Sequence, residues 1–198
     1  MLKTVLIVLG ATFGVCLLGA LGFGGLVYVA ATREGTPARP DDREYVVTFE
    51  DLARHVSGLE KEGGVEKFTR DDFLGSHELS YEYQLKDETL YLTSSITVDS
   101  DARSARDTYN GMSLGMKVML ATQSDEVTLE DRNDLLKCGD DSRAMMMMRG
   151  EHPVGNVFLA RKGNRVFHLT LAGAWFDDPE AFAQLVKPKL EKMSAWKP

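Results

Sequence analysis

Cysteine is scarce in this chain of 198 residues. Only Cys16 and Cys138 are present, and Cys16 lies inside a long hydrophobic segment. Domains that depend on disulfide bonds for their stability carry several cysteines that can pair with one another. A disulfide framework is therefore excluded.

Several motifs that identify common active sites are also missing. The chain has no CxxC pair, no HExxH zinc motif, no phosphate-binding P-loop and no Rossmann glycine fingerprint. No nucleophile, base and orienting group can be assembled from what remains. The sequence therefore predicts no catalytic residue, no metal site and no cofactor.

Basic residues are outnumbered. Residues 32–198 carry all 30 acidic side chains of the chain and 22 of its 23 basic ones, so acidic residues outnumber basic residues by eight in this stretch. This balance disfavours nucleic acid and anionic lipid surfaces as partners, because both are negatively charged. The same stretch is long enough for one domain with a hydrophobic core.

The first 31 residues predict a membrane anchor. They contain one charge, Lys3, followed by an uncharged run that ends at Ala31. As a helix, residues 4–31 would be about 40 Å long, and a bilayer core is about 30 Å thick. We expect an uncleaved signal-anchor. A cleaved signal peptide is the alternative, because residues 29–31 resemble a cleavage site, although its hydrophobic region normally spans only about 7–15 residues.

Charges at the two ends of this segment give conflicting indications of its orientation. The count of Lys and Arg slightly favours a cytoplasmic domain. An apolar run that starts at residue 4, however, is typical of a signal-anchor that exports the rest of the chain. We expect a single-pass protein with its C-terminal domain outside the cytoplasm.

Glycines in the anchor indicate self-association. Gly10 and Gly14 form a GxxxG pair, and Gly24 continues the same seam at spacings of three and four residues. Small residues let two helices approach closely, so this seam predicts a homodimer. The alternative is that glycine is simply frequent in membrane helices.

A hairpin and a helix are the clearest pattern in the rest of the chain. Alternating runs at 157–162 and 165–171 flank Gly163-Asn164, a dipeptide suited to a two-residue hairpin turn. This register pairs Ala160 with Phe167 and places the large apolar side chains on one face.

The helix that follows should begin at an aspartate cap, Asp177 or Asp178, with Pro179 in its first position. Its apolar stripe runs from Phe182 to Trp196 at helical spacing. Pro188 lies within the stripe, so we expect a kink or an interruption near Leu185.

An earlier part of the chain shows the same order of elements. Residues 79–85 and 90–98 alternate as strands, and a helix capped by Asp99 or Ser100 should run from 101 to about 120. Gly111 and Gly115 could break this helix. Its expected buried residues are Ala102, Ala105, Tyr109, Met112, Met116 and Met119.

Shorter signals complete the assignment. Residues 48–51 resemble a capping box that starts a short helix, residues 127–129 predict a strand, and 145–148 predict a central strand covered on both faces. Residues 151–155 predict a turn. The expected fold is α+β, an antiparallel sheet with helices packed on it, built as an α/β/α sandwich of two hairpin-helix halves after one transmembrane helix. The expected divisions are an anchor at 1–31, a linker at 32–44 and a single domain at 45–198.

Three short segments, 155–158 (GNVF), 162–165 (KGNR) and 177–179 (DDP), resemble the Mog1/PsbP-like group of small α/β/α sandwiches. The resemblance covers about residues 45–196. It implies small exported or membrane-tethered domains that bind or assemble rather than catalyse, and it implies no catalytic residue.

Several side chains are candidates for a chemical site. Ser76-His77-Glu78 places nucleophile and base types side by side, but neighbours on a strand point to opposite faces and cannot act together. His168 should lie opposite Leu159, where a partly covered histidine and a ligand or proton-transfer role are the alternatives. A set of soft and borderline ligands could instead hold copper: Cys138, Asp140, Asp141, Met145, Met146, Met147, Met148 and His152.

Two functions from different classes follow. The first is a membrane-anchored extracytoplasmic binding or assembly module without catalytic activity, whose partner is a membrane-proximal protein or a small ligand. The second is a copper-handling domain that uses the region from Cys138 to His152. An enzyme is the third alternative.

Overall fold

The computed structural model describes residues 35–61, 63–73, 75–85, 89–123 and 127–198. The anchor at 4–31 and its glycine seam of Gly10, Gly14 and Gly24 lie outside these residues, and both stay predictions. Within the described residues, no helix combines the length and the hydrophobicity that crossing a membrane requires. Residues 36–198 form one compact unit.

An antiparallel sheet dominates this unit. In the described residues its strands are ordered β1-β2-β3-β4-β8-β7-β6-β5. The strand bounds are β1 Thr36–Pro37, β2 Gly64–Phe73, β3 Ser76–Leu85, β4 Tyr91–Val98, β5 Val127–Asp131, β6 Asp141–Arg149, β7 His152–Lys162 and β8 Arg165–Ala172. A 3-10 helix at Pro40–Glu44 accompanies three α-helices: α1 Phe49–Ala53, α2 Ala102–Gln123 and α3 Pro179–Met193. The α+β class is confirmed.

The predicted hairpin is confirmed in its register. Lys162 pairs with Arg165 and Ala160 with Phe167, across a turn in which Gly163 has a φ of 60°. Side chains alternate between the two faces of the sheet. We call the face that carries Phe167 the α3 face, and the opposite face the α2 face, after the helices that cover them.

The α3 face carries the main core. It is apolar from β3 to β7, and α1 and α3 both pack on it. Its buried sheet residues are Leu79, Tyr81, Tyr83, Leu92, Ile96, Ala144, Phe158, Ala160, Phe167, Leu169 and Leu171. The buried Asn156 amide secures the loop before α3, since its Nδ2 donates to the Phe176 carbonyl and its Oδ1 accepts from the Phe176 N–H.

Helix α3 begins and packs as predicted. The Asp178 side chain accepts a hydrogen bond from the Ala181 N–H at 2.7 Å, and Pro179 occupies the first turn. Of the two expected effects of Pro188 near Leu185, the interruption is wrong, because α3 is continuous from Pro179 to Met193, and the kink stays a prediction. Pro188 and Gln184, whose carbonyl would have bonded to the missing N–H, are both exposed, so water can satisfy that carbonyl.

Helix α2 covers the other face more sparsely. Ala105 is buried against Leu159 and Val166, and three residues of α2 are partly buried there: Tyr109, Met112 and Met116. Two details differ from the prediction, because Ala102 is exposed and the helix is unbroken at Gly111 and Gly115. The side chain of Met119 lies outside the described residues.

The cap of α2 also differs. Neither Asp99 nor Ser100 caps this helix: the Asp101 carboxylate accepts hydrogen bonds from the N–H groups of Arg103 and Ser104, both at 2.8 Å. Asp99 instead accepts a hydrogen bond from the Ser76 hydroxyl at 2.5 Å. A one-residue shift of this kind is common where several aspartates and serines precede a helix.

The domain begins earlier than residue 45. Thr36 and Pro37 pair with β2, and the buried Asp42 forms an ion pair with Arg70 at 2.7 Å, so the predicted linker at 32–44 is partly integrated in the fold. The capping box at α1 is confirmed, with the Thr48 N–H donating to Asp51 at 3.0 Å.

Two features around β6 can be compared with their predictions. The central strand is confirmed, because Met145, Met146 and Met147 are buried in β6, between β5 and β7. The turn expected at 151–155 is shorter, since β7 already starts at His152 and the register shifts between Met147 and Met148. The backbone of this segment pairs as a strand, although its Pro and Gly content is typical of a turn.

Candidate functional site

A cleft of about 210 Å³ opens between the C-terminal part of α3 and the loop that precedes β6. We call it the Cys138 cleft. It is lined by Cys138, Gly139, Ala160, Arg161, Lys162, Lys187, Leu190, Glu191 and Met193. Clefts with apolar walls and a few polar groups are the usual sites for small ligands.

The floor of the cleft is part of the α3 face. Ala160 on β7 and Met193 on α3 are each 1% exposed, and Leu190 is 8% exposed. Ala160 contributes only a methyl group opposite Phe167, so space remains between β7 and the helix. The floor is therefore apolar and held by rigid elements.

The wall formed by the loop requires a glycine. Gly139 has a φ of 69°, and a Cβ at this position would lie 2.3 Å from the Arg161 carbonyl oxygen. The next residue is fixed as well, since the Asp140 N–H donates to that carbonyl at 2.7 Å. Cys138 is held in place by its N–H, which donates to the Ser142 hydroxyl at 3.1 Å. The backbone of the loop is thus fixed on both sides of the thiol.

Arg161 lies at one end of the cleft, which its backbone carbonyl reaches, while its side chain points to the α2 face like that of Leu159. Its guanidinium bonds to Asp141 at 2.8 Å, to Asp140 at 3.1 Å and to the Gly163 carbonyl at 3.2 Å. Asp140 also accepts from the Gly163 N–H at 2.8 Å. Because Arg161 is largely buried and paired with two carboxylates, its charge serves the hairpin turn rather than a ligand.

Two lysines at the rim differ from Arg161 in exposure and in charge pairing. Lys162 and Lys187 are exposed, and neither forms an ion pair within the described part of the chain. Glu191 is the acidic residue of the lining. The rim therefore offers two free ammonium groups above an apolar floor.

The thiol in the cleft is protonated at neutral pH. Burial raises the pKa of Cys138 to about 11, and the nearby charge of Lys187 opposes this increase only in part. A thiol in this state is a poor nucleophile and a poor metal ligand. The environment of Cys138 favours a packing role over a reactive one.

The copper ligand set does not converge. Asp140 and Asp141 are bound to Arg161 at one end of β6, whereas His152 pairs with Arg149 at the other end, roughly 25 Å away at the rise of a strand. Met145 and Met147 lie on the α2 face, while Met146 lies on the opposite one. In the described residues no group of three or more His, Cys, Asp or Glu side chains could hold a metal. The copper hypothesis is not supported by this geometry.

The Ser76-His77-Glu78 triplet is also dispersed. The Nδ1 atom of His77 lies 2.5 Å from the Oδ1 atom of Asp72. Glu78 lies on the α2 face, opposite Thr97. Burial raises the pKa of Glu78, and the Asp71 charge adds to this, while the Ser95 hydroxyl partly offsets it. No member of the triplet activates another, as predicted from their alternation on a strand.

His168 lies opposite Leu159 on the α2 face, as predicted, and opposite Ser95 on its other side. Its Nε2 lies 2.8 Å from the Thr170 hydroxyl, and burial lowers its pKa to about 4. The imidazole is therefore neutral near pH 7. Its environment is that of a partly covered histidine in a sheet, and it lies outside the Cys138 cleft.

One catalytic pattern does occur in the chain. Residues 111–115 read GMSLG, which matches the GxSxG motif of serine hydrolases. That motif requires a serine on a sharp turn between strand and helix, whereas Ser113 lies inside α2 and accepts a hydrogen bond from Arg143 at 3.3 Å. The structural context excludes a nucleophile elbow here.

A larger groove of about 570 Å³ runs between α1 and α3. Its deepest charges are paired, since Lys189 bonds to Asp51 at 2.8 Å and to the Arg43 carbonyl at 3.3 Å. Lys192 bonds to Glu44 at 2.9 Å. These contacts join the N-terminal segment to α3, so the groove is an ionic contact between elements rather than a site with free groups.

Comparisons with known proteins give only a weak structural similarity. No protein-family model matches the chain, and no curated protein matches its sequence. Among solved structures, the extracellular domain of PknH from Mycobacterium tuberculosis is similar, with a TM-score of 0.49 and 7% identity. The match covers 82% of this chain and 100% of that one. The resemblance to the Mog1/PsbP-like group is tested by none of these comparisons and stays a prediction.

Proposed function

We propose that this chain is a membrane-anchored module that binds a small ligand noncovalently in the Cys138 cleft and catalyses no reaction. The observation that carries the proposal is the apolar floor of the cleft, formed by Ala160, Leu190 and Met193 between two rigid elements. A preformed apolar cleft costs little ordering on binding, so a small ligand can be held without covalent chemistry.

The absence of catalysis is supported by the groups around the cleft. Cys138 is protonated, and Arg161 is occupied by two carboxylates. No histidine lines the cleft, so it lacks the usual general base. These groups can bind and orient a ligand, but they form no nucleophile with an adjacent base.

Occupancy of the cleft can be measured through its thiol. Full-length protein carrying Cys16→Ser would be alkylated with N-ethylmaleimide at pH 7.5, where the reagent is selective for thiols over amines, and the modification of Cys138 followed by mass spectrometry. We expect saturating hexanoate, 1-hexanol or hexylamine to slow the reaction severalfold, because a bound chain would cover the thiol. If none of the three slows it, the proposal fails.

Two controls separate binding from other effects. The same chain unfolded in urea should show no protection by any of the probes. Ala160→Val narrows the floor, so protection should weaken while the circular dichroism spectrum and melting temperature show a folded protein. Full protection in the folded Ala160→Val variant would show that the probes bind outside the Cys138 cleft.

The anchor is the second part of the proposal. Residues 4–31 are long and apolar enough to span a bilayer, and the cleft domain would then lie outside the cytoplasm. Tethering raises the effective concentration of ligands and partners at one membrane surface. Intact-mass analysis of protein extracted from membranes tests this part, and a mature chain that begins at Thr32 would contradict it.

A further inference from the structure

The charges around the Cys138 cleft differ in sign from those of the chain as a whole. The protein has a formal net charge of -7, yet two of the charged side chains at the mouth of the cleft, Lys162 and Lys187, are cations, beside the carboxylate of Glu191. Local potential at a cleft, rather than net charge, selects a small ion that enters it. The mouth of the cleft therefore presents two ammonium groups and one carboxylate on a protein that is acidic as a whole.

The guanidinium of Arg161, the third basic residue of the lining, does not serve a ligand, because its side chain points to the α2 face. Arg161 is bonded to Asp140 and Asp141, and these contacts also hold the hairpin turn at Gly163. Lys162 and Lys187 have no ion-pair partner in the described part of the chain. They approach the cleft from different elements, β7 and α3. An anion at the mouth of the cleft could contact both.

Lys187 lies on α3 and lines the same cleft as Cys138. Its charge acts on Cys138, which is partly buried in the cleft. Glu191 lies one helical turn further along α3 and carries the opposite charge. A bound anion would therefore be expected on the Lys187 side of the mouth, away from Glu191.

The interior of the cleft suits a short hydrocarbon chain. Leu190 and Met193 line the cleft together with Ala160, so its lining includes methyl and thioether groups. The volume of about 210 Å³ corresponds to the liquid volume of about seven water molecules. A chain of about six carbon atoms has a comparable size.

Together these features define an amphiphilic site. We infer that the ligand of the Cys138 cleft is a small carboxylate with an apolar chain, whose head group is bound by Lys187 and Lys162 and whose chain lies on Ala160, Leu190 and Met193. This inference rests on the proposed function, since it names the ligand class of the same cleft.

Three probes of equal chain length separate the contribution of the head group to binding from that of the hydrocarbon chain. Hexanoate, 1-hexanol and hexylamine would each be titrated against the alkylation of Cys138 in the full-length Cys16→Ser protein. We expect hexanoate to protect at about a fivefold lower concentration than 1-hexanol, because two exposed ammonium groups attract its carboxylate and this attraction is weakened by solvent. Hexylamine should protect least.

Substitution of the lysines tests the same point. Lys187→Gln should raise the hexanoate concentration needed for half-protection about threefold and leave 1-hexanol unchanged, whereas Lys187→Arg should retain the preference. Lys67→Gln is the matched control, because Lys67 is exposed on β2, four strands away from β7 in the sheet. Raising the salt concentration to about 1 M should weaken hexanoate selectively.

The outcomes distinguish this inference from the function on which it rests. Equal protection by all three probes, or tightest protection by hexylamine, would overturn the carboxylate class and leave the cleft as a binding site. A hexanoate preference that survives Lys187→Gln combined with Lys162→Gln would overturn the assigned head-group contacts. Absence of protection by every probe would overturn both the ligand class and the proposed function.

Discussion

Phe167 and His168 are neighbours on β8, but their side chains point to opposite faces of the sheet and meet different surroundings. Phe167 is fully buried, and its ring centroid lies 6.3 Å from that of Phe158. His168 is only partly covered and lies opposite Ser95. The α3 face is apolar from β3 to β7, whereas the α2 face is apolar only beneath α2.

The α2 face changes character where β8 meets β4. Leu159, Val166 and Val157 on β7 and β8 are buried with α2 or with the methionines of β6. Across the boundary, β3 and β4 present Glu78, Ser95 and Thr97. A helix gains free energy only where it removes apolar surface from water. The limit of α2 coverage therefore follows from side-chain composition, and the two faces should contribute unequally to stability.

The largest expected effect is on the α3 face. Phe167→Ala should lower the free energy of unfolding by about 3–5 kcal/mol, because it leaves a cavity between Phe158 and α3. Chemical denaturation of the full-length protein measures this change. Lys162→Ala, at the exposed end of the same hairpin, should cost less than about 0.5 kcal/mol. Similar small losses for both variants would show that the α3 face is not the principal core.

Local patterns were sufficient to predict the α3 face. The alternation around Gly163-Asn164 gave the register that pairs Ala160 with Phe167, and helical spacing gave the stripe of α3. Strand β2 was missed because Glu66, Lys67, Arg70 and the aspartates that follow leave no clear alternation. Its strand conformation depends on pairing with β3, which is a tertiary contact.

The Cys138 cleft could not be predicted in the same way. Cys138 stood out as a candidate metal ligand, but the cleft exists because a loop before β6 approaches residues about 50 positions later on α3. Leu190 and Met193 appeared only as members of an apolar stripe. No local spacing indicates that a space remains between such residues, since this depends on how closely the elements pack.

The second expected effect concerns pH and the α2 face. The pKa of His168 is lowered to about 4 by burial, so the folded state resists protonation that the unfolded state accepts near pH 6.5. The stability that this neutral form contributes is present above pH 6.5 and is lost as pH falls towards 4. Between pH 7 and pH 5, we expect a loss of about 1–2 kcal/mol from this residue.

A substitution isolates this contribution. His168→Gln retains a polar side chain that can reach Thr170 but does not titrate, so its unfolding free energy should fall less between pH 7 and pH 5 than that of the unchanged protein. His55→Gln is the control, because His55 is exposed after α1. Equal pH dependence for His168→Gln and the unchanged protein would mean that His168 is as accessible to water as His55.

The smallest expected effect is at α2 itself. Met112→Ala should cost only about 1 kcal/mol, because Met112 is partly buried and removes less surface from water than a residue of the α3 face. Leu114→Ala, at a position that is 65% exposed on the same helix, should be neutral within about 0.5 kcal/mol. Denaturation of both variants beside Phe167→Ala ranks the faces on one scale. A loss for Met112→Ala as large as that for Phe167→Ala would mean that α2 is as firmly docked as α3, and that the polar surface on β3 and β4 does not mark the edge of a weaker layer.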